Sequence, residues 1–135
     1  MKKVKVIVER GADNKFCAYM DCDELSFGLI GSGNSVKDTI EDFYIAYHEA
    51  KEILRPKGKE VPELEFDFQY DICSFLDFYA GILSKSGLEK ITGINQKQLW
   101  HYSSGGRKPK PATAKKIQES VYRFADDLKQ VHFVD

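Results

Sequence analysis

The sequence predicts an α+β protein in two parts, a β-β-β-α-β domain over residues 1–70 followed by an all-α domain over 71–135. Three observations predict it. Apolar residues alternate near the start and again at 65–70, the period of a half-buried strand. Over 36–54, and repeatedly after residue 71, they recur at spacings of three and four, the period of an amphipathic helix. Charge also changes sign along the chain. Residues 1–78 hold 10 Lys and Arg against 16 Asp and Glu, net −6, whereas residues 79–135 hold 10 against 5, net +5, which together give the overall −1.

The first domain reads element by element. Residues 3–10, KVKVIVER, place Val4, Val6 and Val8 on one face and Lys3, Lys5 and Ile7 on the other. GADN at 11–14 is a turn cluster. KFCAYM at 15–20 alternates Phe16, Ala18 and Met20 against Cys17 and Tyr19, so the two segments form a hairpin. A polar connection at 21–26 leads to a short third strand at 27–30. GSGN at 31–34 reads as a loop; it lacks the Lys-Ser/Thr of a P-loop and the spacing of a dinucleotide fingerprint. Ser35 caps a helix over 36–54, with Asp38 near the positive end of its dipole. Val36, Ile40, Phe43, Tyr47, Ala50 and Leu54 form the expected buried stripe, widened by Tyr44 and Ile53. Asp38, Glu41, Asp42, Glu49 and Glu52 lie opposite. RPKGKEVP at 55–62 breaks the helix, and EFDFQY at 65–70 alternates Phe66, Phe68 and Tyr70 in a fourth strand.

The change from strand to helix near Asp71 marks the expected domain boundary. Ile72, Phe75, Leu76 and Tyr79 have helix spacing and predict the first helix of the second domain. Residues 83–109 then read as two short helices joined by a tight turn, followed by a basic tail. Gly93 is the pivot, because the chain must reverse there through a positive φ. Ile94 plugs the space between the helices, and Asn95 caps the second, over 96–103. Leu99 and Tyr102 face inward with Trp100 flanking them, which leaves Gln96, Lys97, Gln98 and His101 outward. Gln matches an adenine edge bidentately, and Lys reaches guanine or phosphate. Gly105 and Gly106 end the helix, and Arg107, Lys108 and Lys110 are placed as phosphate clamps. Pro111 opens a last helix to residue 129, with Ala114, Ile117, Val121, Phe124 and Leu128 on one stripe. Residues 131–135 read as a frayed end or a short strand.

Composition excludes several classes. At 135 residues, 42% hydrophobic and 30% charged, the chain suits one domain or two small soluble ones. No run of about 18 apolar residues predicts a membrane helix, and MKKVKVIVERG lacks the apolar core of a signal peptide. Three cysteines, an odd number, argue against a disulfide framework and for a reducing cytoplasm. Cys17 and Cys22 lack a Cys-x-x-Cys partner pair, and His48, His101 and His132 are scattered, so no metal and no cofactor is expected. Asp21, Asp23 and Glu24 lack the second carboxylate group that a Mg²⁺ nuclease needs. Nothing places Cys22 beside His48 as nucleophile and base. The expectation is a protein without catalytic activity.

The run GINQKQLWHYSSGGRKP at 93–109 resembles the second half of the lambda-repressor-like helix-turn-helix, whose members show Gly-Ile-Ser/Asn, a polar recognition helix, Gly and then Lys-Pro. The whole order of elements resembles the HicB-type antitoxins, in which a small domain like a truncated ribonuclease-H fold precedes a DNA-binding domain. Gly31-Ser32-Gly33-Asn34-Ser35 before Val36 is similar to that family's Gly-x-Gly-Asp/Asn-Ser/Thr run. Two departures stand out. The family's Pro-Asp-Leu-Pro-Gly-Cys stretch is DCDELSFGLIG here, without its prolines, and Glu89 stands where lambda-repressor-like proteins place a small apolar residue. The resemblance implies a DNA-binding autoregulator and antitoxin that neutralises a small HicA-type toxin, itself an mRNA-cleaving protein. Duplex operator DNA would meet Asn95, Gln96, Lys97, Gln98, His101, Arg107, Lys108 and Lys110. The acidic first domain would attract a basic partner through Asp21, Asp23 and Glu24 and through Asp38, Glu41, Asp42 and Glu49. A homodimer or higher homo-oligomer is expected, paired through the edge of strand 3–9 or through the long last helix. The competing reading is a stand-alone helix-turn-helix regulator whose first domain dimerises or senses a ligand.

Overall fold

The computed structural model describes residues 2–59 and 61–135. The protein is α+β, and it divides into two compact units, Met1–Phe78 and Tyr79–Asp135. The described residues form a four-stranded mixed sheet and five α-helices. In chain order these are β1 (Lys2–Arg10), β2 (Phe16–Met20), β3 (Ile30–Gly33), α1 (Val36–Leu54), a 3-10 turn (Arg55–Lys57), β4 (Leu64–Tyr70), α2 (Ile72–Phe78), α3 (Lys85–Thr92), α4 (Gln96–Ser103) and α5 (Pro111–Lys129). Glu60, in the connection before β4, lies outside the described residues.

The sheet order is β3-β2-β1-β4. The first three strands are antiparallel neighbours, and β4 runs parallel to β1. A hairpin needs only a short turn, whereas a parallel return needs a crossover, which α1 supplies. Val4, Val6 and Val8 turn to one face and are buried with Phe16, Ala18, Val36 and Phe43. Phe43 meets Phe66 edge-on at 4.9 Å and Phe68 at 5.9 Å, a favourable geometry for aromatic rings. The Tyr47 hydroxyl accepts from Leu64 N–H at 3.0 Å and donates to the Pro62 carbonyl at 3.1 Å, which pins the start of β4 under the helix.

Four expectations are corrected. The third strand is 30–33 rather than 27–30, so the glycine run is strand and not loop. The reason is the approach of α1. A Cβ on Gly31 would stand 2.6 Å from both Phe43 N and Thr39 O, so only glycine lets β3 lie there. Ile53 does not widen the buried stripe of α1, which is Val36, Thr39, Phe43 and Tyr47. It points into solvent, whereas Tyr44 is partly exposed and lays its ring against Phe66 and Phe68 at 5.6 and 6.0 Å along the edge of that stripe. Thr39 escaped notice as a polar residue, yet it is fully buried and its hydroxyl donates to the Ser35 carbonyl at 2.7 Å.

The division falls between Phe78 and Tyr79, not after Tyr70, because α2 is fastened to the first unit. The Asp71 carboxylate accepts from Ser74 N–H at 2.8 Å and from Arg10 N–H at 3.1 Å, which joins the start of α2 to the end of β1. Asp77 accepts from Val36 N–H at 2.9 Å, and Cys73 and Leu76 are buried. Finally, β1 is an inner strand, paired with β4 over Lys2–Val8 and with β2 over Val6–Arg10, so it is not an edge strand of the sheet.

The second unit gathers α3, α4 and α5 around Leu88, Ile94, Leu99, Tyr102 and Ile117. No helix among the described residues is long and apolar enough to cross a membrane.

Gly31→Ala should destabilise the protein by about 1–3 kcal/mol, the usual cost of forcing extra volume into a packed site. Gly28→Ala, where the added carbon meets nothing within 4 Å, should stay within about 0.5 kcal/mol. Urea unfolding of the two variants beside the parent measures both.

Candidate nucleic-acid interface

The second unit presents α4 on a turn held by several hydrogen bonds. Ser84 caps α3, its hydroxyl accepting from Gly87 N–H at 3.0 Å. The helix ends at Gly93, which adopts φ +76° and donates its N–H to the Glu89 carbonyl at 2.8 Å. Thr92 is buried, and its hydroxyl donates to the Leu88 carbonyl at 2.7 Å and accepts from Ile94 N–H at 3.1 Å. Ile94 drops into the core. Asn95 Oδ1 then caps α4 by accepting from Gln98 N–H at 2.8 Å.

Glu89 has a role that its place in the sequence did not announce. Its Oε1 accepts from Gln96 N–H at 3.0 Å, so a side chain of α3 caps the first turn of α4. Its carboxylate also sits at the positive end of that helix. Sequence reading marked the residue only as a departure in packing.

Of the eight predicted DNA-facing residues, Asn95, Gln96, Lys97, Arg107, Lys108 and Lys110 are exposed. Leu99 and Tyr102 are buried beneath α4 as its spacing predicted. His101 is half-buried, and its ring lies edge-on to Trp100 at 5.2 Å. Trp100 is 55% exposed. Gln98 is half-buried, and its amide Nε2 donates to the Tyr102 hydroxyl at 2.6 Å. That bond joins residues four apart on one helix, a spacing legible in the sequence. It spends one donor of Gln98 inside the helix and leaves its carbonyl and second N–H for other partners.

The chain leaves α4 through Gly105 at φ +78°, with Arg107 N–H donating to the His101 carbonyl at 3.2 Å. It enters α5 at Lys110. No side chain caps that helix start, Pro111 occupies its first position, and no acidic residue stands in its first turn. The positive end of a 19-residue helix is therefore open and flanked by Lys108 and Lys110. Lys115 and Lys116 follow on exposed turns; Lys115 lies 3.9 Å from Glu119. Such a cluster suits a phosphate.

The predicted acidic contacts in the first unit are more dispersed. Asp21 pairs with Lys5 at 3.5 Å, and Glu24 pairs with Lys2, whose hydrogen bond holds the Glu24 carboxyl below the usual range. Asp42 accepts from Ser32 N–H at 2.9 Å and so fastens β3 to α1. Asp23, Asp38, Glu41 and Glu49 are exposed. Burial pushes the thiols of Cys17 and Cys73 up, away from the thiolate form. Among the described residues, no group of three or more His, Cys, Asp or Glu side chains is placed to hold a metal ion.

No protein-family profile matches the chain, and no curated protein or solved structure matches it either.

Asn95→Ala should cost about 0.5–2 kcal/mol, the range for a lost helix cap. Leu99→Asp should leave the second unit unfolded, because it buries an unpaired carboxylate. Chemical denaturation followed by far-UV circular dichroism separates the two outcomes.

Proposed function

We propose that the protein binds duplex operator DNA through α4 and the start of α5, as an autoregulating antitoxin of the HicB type. The observation that carries this reading is the pairing of two neighbouring features. The polar outer face of α4 follows a capped, hydrogen-bonded turn, and after the loop that leaves it the uncapped start of α5 is immediately preceded in the chain by Arg107, Lys108 and Lys110. The first suits base edges in a major groove, and the second suits phosphates. Gln96, Lys97 and Gln98 are the readers, with Gln98 oriented by Tyr102. The net +5 of residues 79–135 supplies the non-specific attraction.

Within the same reading, the two units correspond to a HicB-like domain and a lambda-repressor-like helix-turn-helix domain. The sheet, with β4 returning parallel to β1 after α1, supports the first assignment. The glycine turn between α3 and α4 supports the second. The acidic first unit serves to capture a basic mRNA-cleaving toxin, in the cytoplasm, and the chain itself carries out no chemical step and needs no cofactor. Two copies would span half-sites about 34 Å apart, one turn of DNA.

A stand-alone regulator is the second reading. It is favoured by the pairing of Asp21 with Lys5 and of Glu24 with Lys2, which satisfies two of the acidic residues within their own unit.

Gln98→Ala should weaken binding to the operator by roughly 1–3 kcal/mol, with little effect on random duplex. Replacing Arg107, Lys108 and Lys110 together with Ala should weaken binding to every sequence and flatten the dependence of affinity on salt. Fluorescence anisotropy on duplexes across a salt series reads both. An unchanged slope in the triple variant removes these residues from the phosphate contacts.

Capture of a toxin is tested in cells by co-expression with the adjacent small open reading frame. Growth rescue and co-purification by residues 1–78, lost when Asp23, Asp38, Glu41 and Glu49 are neutralised together, support the antitoxin. Repression by the full chain without rescue favours the stand-alone regulator.

A further inference from the structure

The apolar stripe of α5 outruns the domain that it packs on. Ile117 is buried and Val121 and Phe124 are half-buried, but Leu128, the next residue at the same spacing, is 54% exposed. The chain then continues with Val131, Phe133 and Val134. Phe133 is 91% exposed and Val134 fully so. Leu128, Val131, Phe133 and Val134 thus stand exposed within one short stretch, and clustered exposed apolar groups mark interaction surfaces. Beside this overhang lies a groove of about 330 Å³, lined by Lys90, Ile91, Ser120, Arg123, Phe124 and Asp127. A benzene-sized guest fills a cavity of roughly 150 Å³, so the groove holds one aromatic ring with space around it.

We infer that a second copy of this chain covers the overhang, with residues 131–135 of each copy lying in the groove between α3 and α5 of the other. A two-fold pairing requires one patch that carries both halves of every contact. This patch does. It holds a projecting ring, Phe133, and a hollow floored by Ile91 and Phe124. It also holds a net positive groove, Lys90 and Arg123 outweighing Asp127, and an anion, Asp135, two residues beyond the ring. Each contact is made twice, so two Phe133 rings, at about 150–250 Å² apiece, leave water together with Leu128 and Val131. The inference specifies the pairing surface of the dimer within the proposed function. It is tested without DNA, so its failure and that of the DNA-binding reading are told apart.

The experiment is sedimentation equilibrium on the full chain over a micromolar concentration series. The parent should sediment as a dimer. Phe133→Asp should raise the dimer dissociation constant at least about tenfold, the loss of a central interface residue. Its far-UV circular dichroism should be unchanged, because Phe133 is no part of the unit's own core. Lys90→Glu with Arg123→Glu should weaken the dimer likewise, and adding Asp135→Lys to that pair should restore it. A parent that stays monomeric throughout overturns the inference, whether its own tail folds back or another protein is the occupant. So does a Phe133→Asp variant that associates as tightly as the parent.

Discussion

The presentation of α4 depends on a relay of hydrogen bonds across a few residues. Gly93 turns the chain through a conformation closed to other residues at ordinary cost. Thr92 ties the turn back to α3, Asn95 closes the first turn of α4 from below, and Glu89 closes it from the side. With those N–H groups engaged, the helix can stand with its polar face in water and only Leu99 and Tyr102 in the core. An eight-residue helix is too short to hold itself together in water. Its order comes from this turn and from the two residues it buries.

The same engagement divides labour between neighbouring helix ends. Glu89 places negative charge at the start of α4, which disfavours an approaching phosphate there. The start of α5 has the opposite character, uncapped and flanked by lysines. Two helix starts of opposite electrostatic character therefore lie on either side of the loop carrying Gly105 and Gly106.

Much of this was legible in the sequence, for physical reasons. One-sided burial leaves a period, so Val4, Val6 and Val8, the stripe of α1 and the face of α5 announce themselves. Caps are local, so Ser35, Gly93 and Asn95 fall where their chemistry demands. What escaped was set by partners distant in sequence. Gly31 looks like loop because the helix that excludes its side chain is known only in three dimensions. The allegiance of α2 rests on Asp71 reaching Arg10 and Asp77 reaching Val36, and no spacing rule foretells either. Asp21 and Glu24 read as free acids until the hairpin brings Lys5 and Lys2 against them. The bond from Gln98 to Tyr102 lay within reach, since both sit on one helix four residues apart.

Trp100 gives the candidate interface a property of a different kind. It is the single tryptophan of the chain, and it stands in solvent on α4, one helical turn from Gln96 and Lys97. Its indole emission is therefore an optical label that the protein carries at this face. Anything that settles over α4 and excludes water shifts and quenches that signal without an attached dye. Because the ring is partly shielded and meets His101 edge-on, unfolding changes the signal as well, and a far-UV trace recorded beside it tells occupancy of this surface from loss of structure.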